Sequence, residues 1–215
     1  MAVSQEKIIQ TDGVALKTNG PRRLPVYFVL DLSGSARGGL AANARRHTQD
    51  VITQLQSQAG QNRKEYDRAP VFYTIIVFRS AALQLQPLAS LWTYPLDGLL
   101  LNEIATQGAS APGAALATLR KSMEHELKMP GTDHGDDTPL VFLFTDKVPN
   151  KEWACIVPGV KTFVCGIPPS TQTPAPSFIS GFLPFDCQAE MLKKVEAARD
   201  KLKTRQQMID YPTDY

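Results

Sequence analysis

The chain has 215 residues, 43% of them apolar and 20% charged, and its 23 Lys and Arg against 21 Asp and Glu leave a formal net charge of +2. That is the make-up of an ordinary soluble globular protein, and so slight a basic excess argues against nucleic acid or an anionic membrane as a partner. Cys155, Cys165 and Cys187 are widely spaced and form no CxxC zinc pattern. Their odd number, with no secretory leader read at the start, predicts a reducing, cytoplasmic setting.

Residues 1–21 read as a polar arm, with no apolar core long enough for a signal peptide or membrane anchor. Residues 22–205 read as one domain, because no Ser/Gly-rich linker divides them, and 206–215 as a loose tail. Within the domain, "LPVYFVLD" (Leu24–Asp31) is a continuous apolar run of the kind found in strands buried on both faces. A Gly/Ser turn follows. Leu40, Ala44, His47, Val51 and Leu55 then recur at three- and four-residue steps, one face of a helix. "GQNRKEYDRAP" reads as a polar loop. "VFYTIIVF" (Val71–Phe78) is a second buried strand, and the alternation of "AALQLQPL" predicts a short antiparallel edge partner.

"YPLDGLLLNEIATQGAS" reads as a short helix and a loop. Pro112 then opens a helix with Leu116, Leu119, Met123 and Leu127 in a stripe. "PGTDHGDDTP" breaks the chain before a third buried strand, "LVFLFTD" (Leu140–Asp146), and "VKTFVCGI" (Val160–Ile167) is a fourth. "SFISGFLPF" reads as a short edge element, and a final helix over about Cys187–Thr204 carries Met191, Val195, Ala198 and Leu202. Strands that alternate with helices predict an α/β fold: a Rossmann-like, doubly wound, mostly parallel sheet of about six strands, one of them an antiparallel edge, with helices on both faces. Ligands of such sheets sit beyond the carboxyl ends of the strands, where the strand order reverses.

Two buried strands end in an aspartate, Asp31 and Asp146. The first is followed at alternate positions by Ser33 and Ser35, and Ser110 stands two residues before Pro112. All five side chains offer oxygen and none offers sulfur or imidazole, a set that suits a hard cation such as Mg²⁺ or Mn²⁺. Two carboxylates and three neutral hydroxyls nearly balance a divalent charge, so the ion keeps its appetite for one more anionic ligand, a Glu or Asp from a partner. Taken singly, each of these residues is more simply a turn or helix-cap residue; the joint pattern is what points to a metal.

The order D-x-S-x-S, then G-x-Ser before a small-residue helix, then Thr-Asp after a strand resembles the metal-ion-dependent adhesion site (MIDAS) of the von Willebrand factor A (vWA) family. "RRLPVYFVLDLSGS", "GASAPGAAL" and "PLVFLFTDKVPNKEW" are most similar to its bacterial tellurite-resistance type (TerY-like proteins), over about Arg22 to Ile167. The resemblance implies metal ligation by Asp31, Ser33, Ser35, Ser110 and Asp146, with hydroxyls touching the ion and aspartates able to act through water. It implies a protein-interaction module of a bacterial stress or phage-defence system, associated with a protein kinase and a metal-dependent phosphatase. Two departures stand out: Ser110 replaces the usual threonine, and Lys147 replaces the usual glycine after Thr-Asp.

An alternative is a Mg²⁺-dependent phosphohydrolase with Asp31 as nucleophile, but Ser33 stands where its second acid is expected. A further alternative is a scaffold without metal, in which Lys147 supplies the positive charge. The remaining residues read structurally. His47 is a partly buried core histidine, His125 and His134 are solvated, "HGDD" is a polar turn, and Arg22–Arg23 and Arg45–Arg46 are solvated charges. Cys165 is buried. Trp92 and Trp153 are exposed-loop candidates or pack under their loops. No Walker loop, GxGxxG fingerprint or GxSxG elbow is present.

Overall fold

The computed structural model describes residues 21–34, 36, 39–93, 101–128, 135–147, 153, 159–166 and 177–210, the last four by their backbone only. Four apolar runs form the strands β1 (Leu24–Asp31), β2 (Val71–Phe78), β5 (Leu140–Phe144) and β6 (Lys161–Cys165). β2, β1, β5 and β6 are adjacent in that order and parallel, and β7 (Gly181–Leu183) extends the sheet beyond β6. Two short strands, β3 (Ala82–Gln84) and β4 (Ala89–Ser90), both pair antiparallel with β2. Among the described residues the sheet thus has seven strands, the predicted architecture with one short strand more on the β2 edge.

Why the β1 run is apolar throughout follows from its place at the centre of the sheet. Successive strand side chains point to opposite faces. Leu24, Val26, Phe28 and Leu30 therefore pack on one face and Tyr27 and Val29 on the other, every one of them fully buried. The first face is covered by α1 (Leu40–Gln61) and α4 (Gln188–Asp210), through Ala44, Val51, Ile52, Leu55, Met191, Val195 and Leu202. The second is covered by α3 (Pro112–Glu126), through Ala115, Leu116, Leu119 and Met123. Phe28, Phe142 and Phe163 are register partners across β1, β5 and β6 and stack with centroids 5.8 and 5.7 Å apart. With two faces to bury, the central strands need no alternation of polar and apolar residues.

Several local readings are corrected. Part of "GQNRKEYDRAP" is a helix, α2 (Arg63–Arg68), because Tyr66 is buried and carries the Arg199 guanidinium 3.8 Å above its ring. β5 ends at Phe144, two residues short of Asp146, and α4 continues six residues beyond Thr204. Trp153 is buried, whereas Trp92 is half exposed. "HGDD" and "RR" are not independent solvated turns. Asp136 is 1% exposed and accepts from Arg23 Nε at 2.6 Å and Lys128 N at 2.8 Å, and Asp137 accepts from Arg205 at 3.1 Å. His47 is buried as a core residue, its Nε2 3.6 Å from Asp186. Cys165 and Cys187 are buried; His134 and Cys155 lie outside the described residues.

Candidate metal centre

The strand order reverses at β1, which has β2 on one side and β5 on the other. Asp31 is the last residue of β1, and Thr145 and Asp146 follow directly on β5, so the crevice expected at such a crossover is flanked by both. Asp31 is fully buried. Its Oδ1 accepts from the Ser33 N–H at 3.0 Å, the two-residue return that aspartates make in turns. Its Oδ2 accepts from Ser110 Oγ at 2.7 Å and from Thr145 Oγ1 at 3.0 Å. One carboxylate therefore gathers a group from each of three loops.

Ser110 is delivered across 79 residues of sequence by a loop that the backbone holds tightly. Gln107 N–H donates to Leu32 C=O, Gly34 N–H to Gly108 C=O and Ala111 N–H to Arg79 C=O. Ala109 N–H donates to Ser80 Oγ at 3.3 Å. Gly108 sits at φ +78°, a conformation that favours glycine, and a Cβ there would come within 2.8 Å of Ser80 Oγ and push that hydroxyl aside. From α1, Arg45 donates to Ile104 C=O and to Thr106 Oγ1, and burial pulls its guanidinium pKa down. Pro112 then opens α3 two residues after Ser110.

The third loop behaves differently. Lys147 Nζ lies 2.9 Å from Asp146 Oδ1, with the lysine more exposed than its partner. Asp146 is therefore engaged by its own neighbour. Thr145 takes the inward place beside Asp31 and also accepts from Lys147 N–H at 3.1 Å. Of the five predicted residues, Asp31, Ser33 and Ser110 are brought together; Asp146 adjoins them through Thr145; Ser35 lies outside the described residues. Thr145, the threonine of the Thr-Asp pair after β5, has no place in the predicted ligand set. Arg45, read from sequence as a solvated charge, instead braces the Ser110 loop through Ile104 and Thr106, and Arg79 carried no sequence signal, being an ordinary arginine far along the chain from Ser110.

No three His, Cys, Asp or Glu side chains converge on a metal-sized point among the described residues. An ion here would rest on few carboxylates and several hydroxyls. The donor set fits that demand. The Asp31 and Ser110 oxygens already approach to 2.7 Å, and a hydroxyl that now donates its proton to Asp31 keeps two lone pairs for a cation. All the oxygens are hard donors, which suits Mg²⁺ or Mn²⁺ and disfavours soft-metal chemistry.

No protein-family model matches the sequence, and no curated protein matches it. Solved structures do match by shape. A von Willebrand factor type A structure from Catenulispora acidiphila aligns with TM-score 0.53 at 12% identity, over 86% of this chain and 43% of that one. The PilB minor pilin from Streptococcus sanguinis aligns with TM-score 0.55 at 10% identity, over 86% and 62%. An aerotolerance-related membrane protein from Bacteroides fragilis aligns with TM-score 0.50 at 14% identity, over 83% and 99%. The chain thus spans less than two thirds of the first two but nearly all of the third. At such low identity these likenesses speak for architecture alone, and together with the sheet order they show that the chain has the open α/β fold of von Willebrand factor type A domains.

Proposed function

We propose that this chain is a metal-dependent protein-interaction module of the vWA kind, closest to the tellurite-resistance type, and not an enzyme. The observation that carries the reading is the three-loop cluster on Asp31 at the crossover of the sheet, in which Ser33, Ser110 and Thr145 all converge on one buried carboxylate. Mg²⁺ or Mn²⁺ would be held there by Asp31, Ser33, Ser35, Ser110 and Asp146. Bound, the ion supplies an electrophilic position that accepts a carboxylate from a partner.

The chain's own residues do the rest. Asp31 fixes the loops in register, the Ser110 loop closes one side, and Lys147 tempers the charge of Asp146. A phosphohydrolase reading is weaker, because Ser33 stands where its second acid is expected. The partners in this reading are proteins of a bacterial stress or phage-defence system that offer an acidic residue, among them a kinase and a phosphatase. The setting is cytoplasmic, and no helix among the described residues is long and apolar enough to cross a membrane.

The test is capture of partners from a lysate by the immobilised chain, with Mg²⁺ or with EDTA, beside an Asp31→Ala variant. A partner retained with Mg²⁺ and lost under both perturbations supports the reading. Retention under both refutes the metal bridge and favours the scaffold without metal.

A further inference from the structure

Beside the Asp31 cluster, on its β2 flank, lies an open cleft of about 370 Å³ lined by Arg79, Ser80, Ala81, Gln107 and Gly108. We infer that this cleft is a second acid-binding subsite, and that the module prefers an extended peptide with two carboxylates, one for the metal position and one for Arg79. The inference rests on the metal-dependent reading given above and adds to it the chemistry of the partner.

Three observations lead there. The first is position. Phe78 is the register partner of Asp31, so Arg79 leaves the sheet beside the candidate metal position, one strand spacing of about 4.8 Å away. The cleft and the centre share a wall, since Ser80 Oγ accepts from Ala109 N–H next to Ser110, and Gly108 C=O accepts from Gly34 N–H. The second is charge. Arg23, Arg199 and Arg205 face Asp136, Glu65 and Asp137. Arg79 donates to the Ala105 carbonyl at 3.3 Å and meets no carboxylate within ion-pair distance among the described residues. A guanidinium fork matches a carboxylate in two parallel hydrogen bonds. The Ser80 hydroxyl, which accepts from Ala109 N–H, retains its own proton for an incoming oxygen.

The third is asymmetry. On the β5 flank Lys147 is already paired with Asp146, so the β2 flank is where a second acid finds an uncommitted charge. An extended peptide advances about 3.4 Å per residue and points alternate side chains the same way. Acids at positions i and i+2 therefore suit one strand spacing plus the reach of an arginine.

Fluorescence anisotropy with three labelled peptides tests this: Gly-Gly-Glu-Ser-Glu-Gly-Gly and its two versions with a single Glu→Gln change. In Mg²⁺ the diacid is expected to bind the wild-type chain roughly three- to tenfold more tightly than either monoacid, the range of a half-exposed charged pair. That ratio is expected to fall towards one in Arg79→Gln and in Ser80→Asp. The second variant keeps the acceptor for Ala109 N–H while placing a negative charge against Arg79, so it stands if Arg79→Gln disturbs the loop. A wild-type ratio near one, a ratio unchanged in both variants, or no binding of any peptide in Mg²⁺ overturns the subsite. A ratio that depends on Arg79 and persists in EDTA supports the subsite while refuting the metal bridge.

Discussion

Asp31 permits a test in which loss of structure and loss of ligand separate. It is fully buried and accepts three hydrogen bonds, from Ser33 N–H, Ser110 Oγ and Thr145 Oγ1. Asp31→Ala strands donors from all three loops. Each buried donor left unpaired costs about 1–3 kcal/mol. Ser110 is only half buried and can turn to water, and removing a buried carboxylate recovers part of the loss, so a net destabilisation of about 2–4 kcal/mol is expected. Asp31→Asn keeps an acceptor for Ser33 N–H, and its amide can donate to the two hydroxyls, so it is expected to stay within about 1 kcal/mol of wild type in EDTA.

With Mg²⁺ at one hundred times its Kd, the wild-type chain gains about 2.7 kcal/mol, a rise in Tm of roughly 5–11 °C for a domain of this size. Asp31→Asn should gain almost none of it. Thermal unfolding of the three proteins, each with EDTA and with Mg²⁺, reads all of these values. An Asp31→Ala protein as stable as wild type in EDTA would refute the hydrogen-bonded cluster. An Asp31→Asn protein stabilised by Mg²⁺ as much as wild type would refute metal ligation by this carboxylate.

Lys147→Ala frees Asp146 from its 2.9 Å ion pair and is expected to tighten Mg²⁺ binding by up to about fivefold, given the small worth of a part-exposed pair; calorimetric titration measures it, and weaker binding would contradict it. Gly108→Ala forces a side chain into φ +78° and within 2.8 Å of Ser80 Oγ, at a cost of about 1–3 kcal/mol in urea unfolding. Asp136→Ala leaves the Arg23 guanidinium, about one-eighth exposed, without its carboxylate, and a loss of about 3–5 kcal/mol is expected by the same assay. Burial raises the phenol pKa values of Tyr27, Tyr66 and Tyr73 above the ordinary 10.0. A group bound more tightly to its proton in the folded chain contributes fully below its unfolded pKa and loses that contribution as pH climbs through the folded value. Stability should therefore hold to about pH 10 and fall above it, and Tyr27→Phe should flatten that fall in a series of unfolding curves.

The centre is a small device set on a rigid frame. β1 is held on both sides by long parallel neighbours and buried on both faces, so its end is a fixed point. The Ser110 loop that approaches it is tied to that frame by backbone hydrogen bonds and by Arg45 and Arg79, which cap the Ile104 and Ala105 carbonyls. A hydroxyl-rich site needs such bracing, because neutral oxygens attract a cation more weakly than carboxylates do and contribute only if they are already in place.

The sequence by itself determined the α/β alternation, the four long strands and the helices α1, α3 and α4. Runs such as Val26–Leu30 and Leu140–Phe144 are too uniformly apolar for anything but a strand covered on both faces. It also placed Asp31, Ser33 and Ser110 as one set, because oxygen donors in the turn after the first strand and just before a helix make a joint pattern that single turn or cap residues do not. The polar stretch around Tyr66 was illegible as a helix, since its reason lies 134 and 138 residues away, where Arg199 and Lys203 of α4 meet Glu65. "RR" and "HGDD" looked like two solvated segments until the fold set Arg23 against Asp136 across 113 residues. Only the tertiary structure gave Thr145 the inward place and turned Asp146 to Lys147, because which of two adjacent side chains faces the crevice depends on where β5 stops, and that is decided by its neighbours β1 and β6. Local pattern encodes what a segment will bury; which charges meet at its ends is fixed by contacts between distant segments, and no local pattern records them.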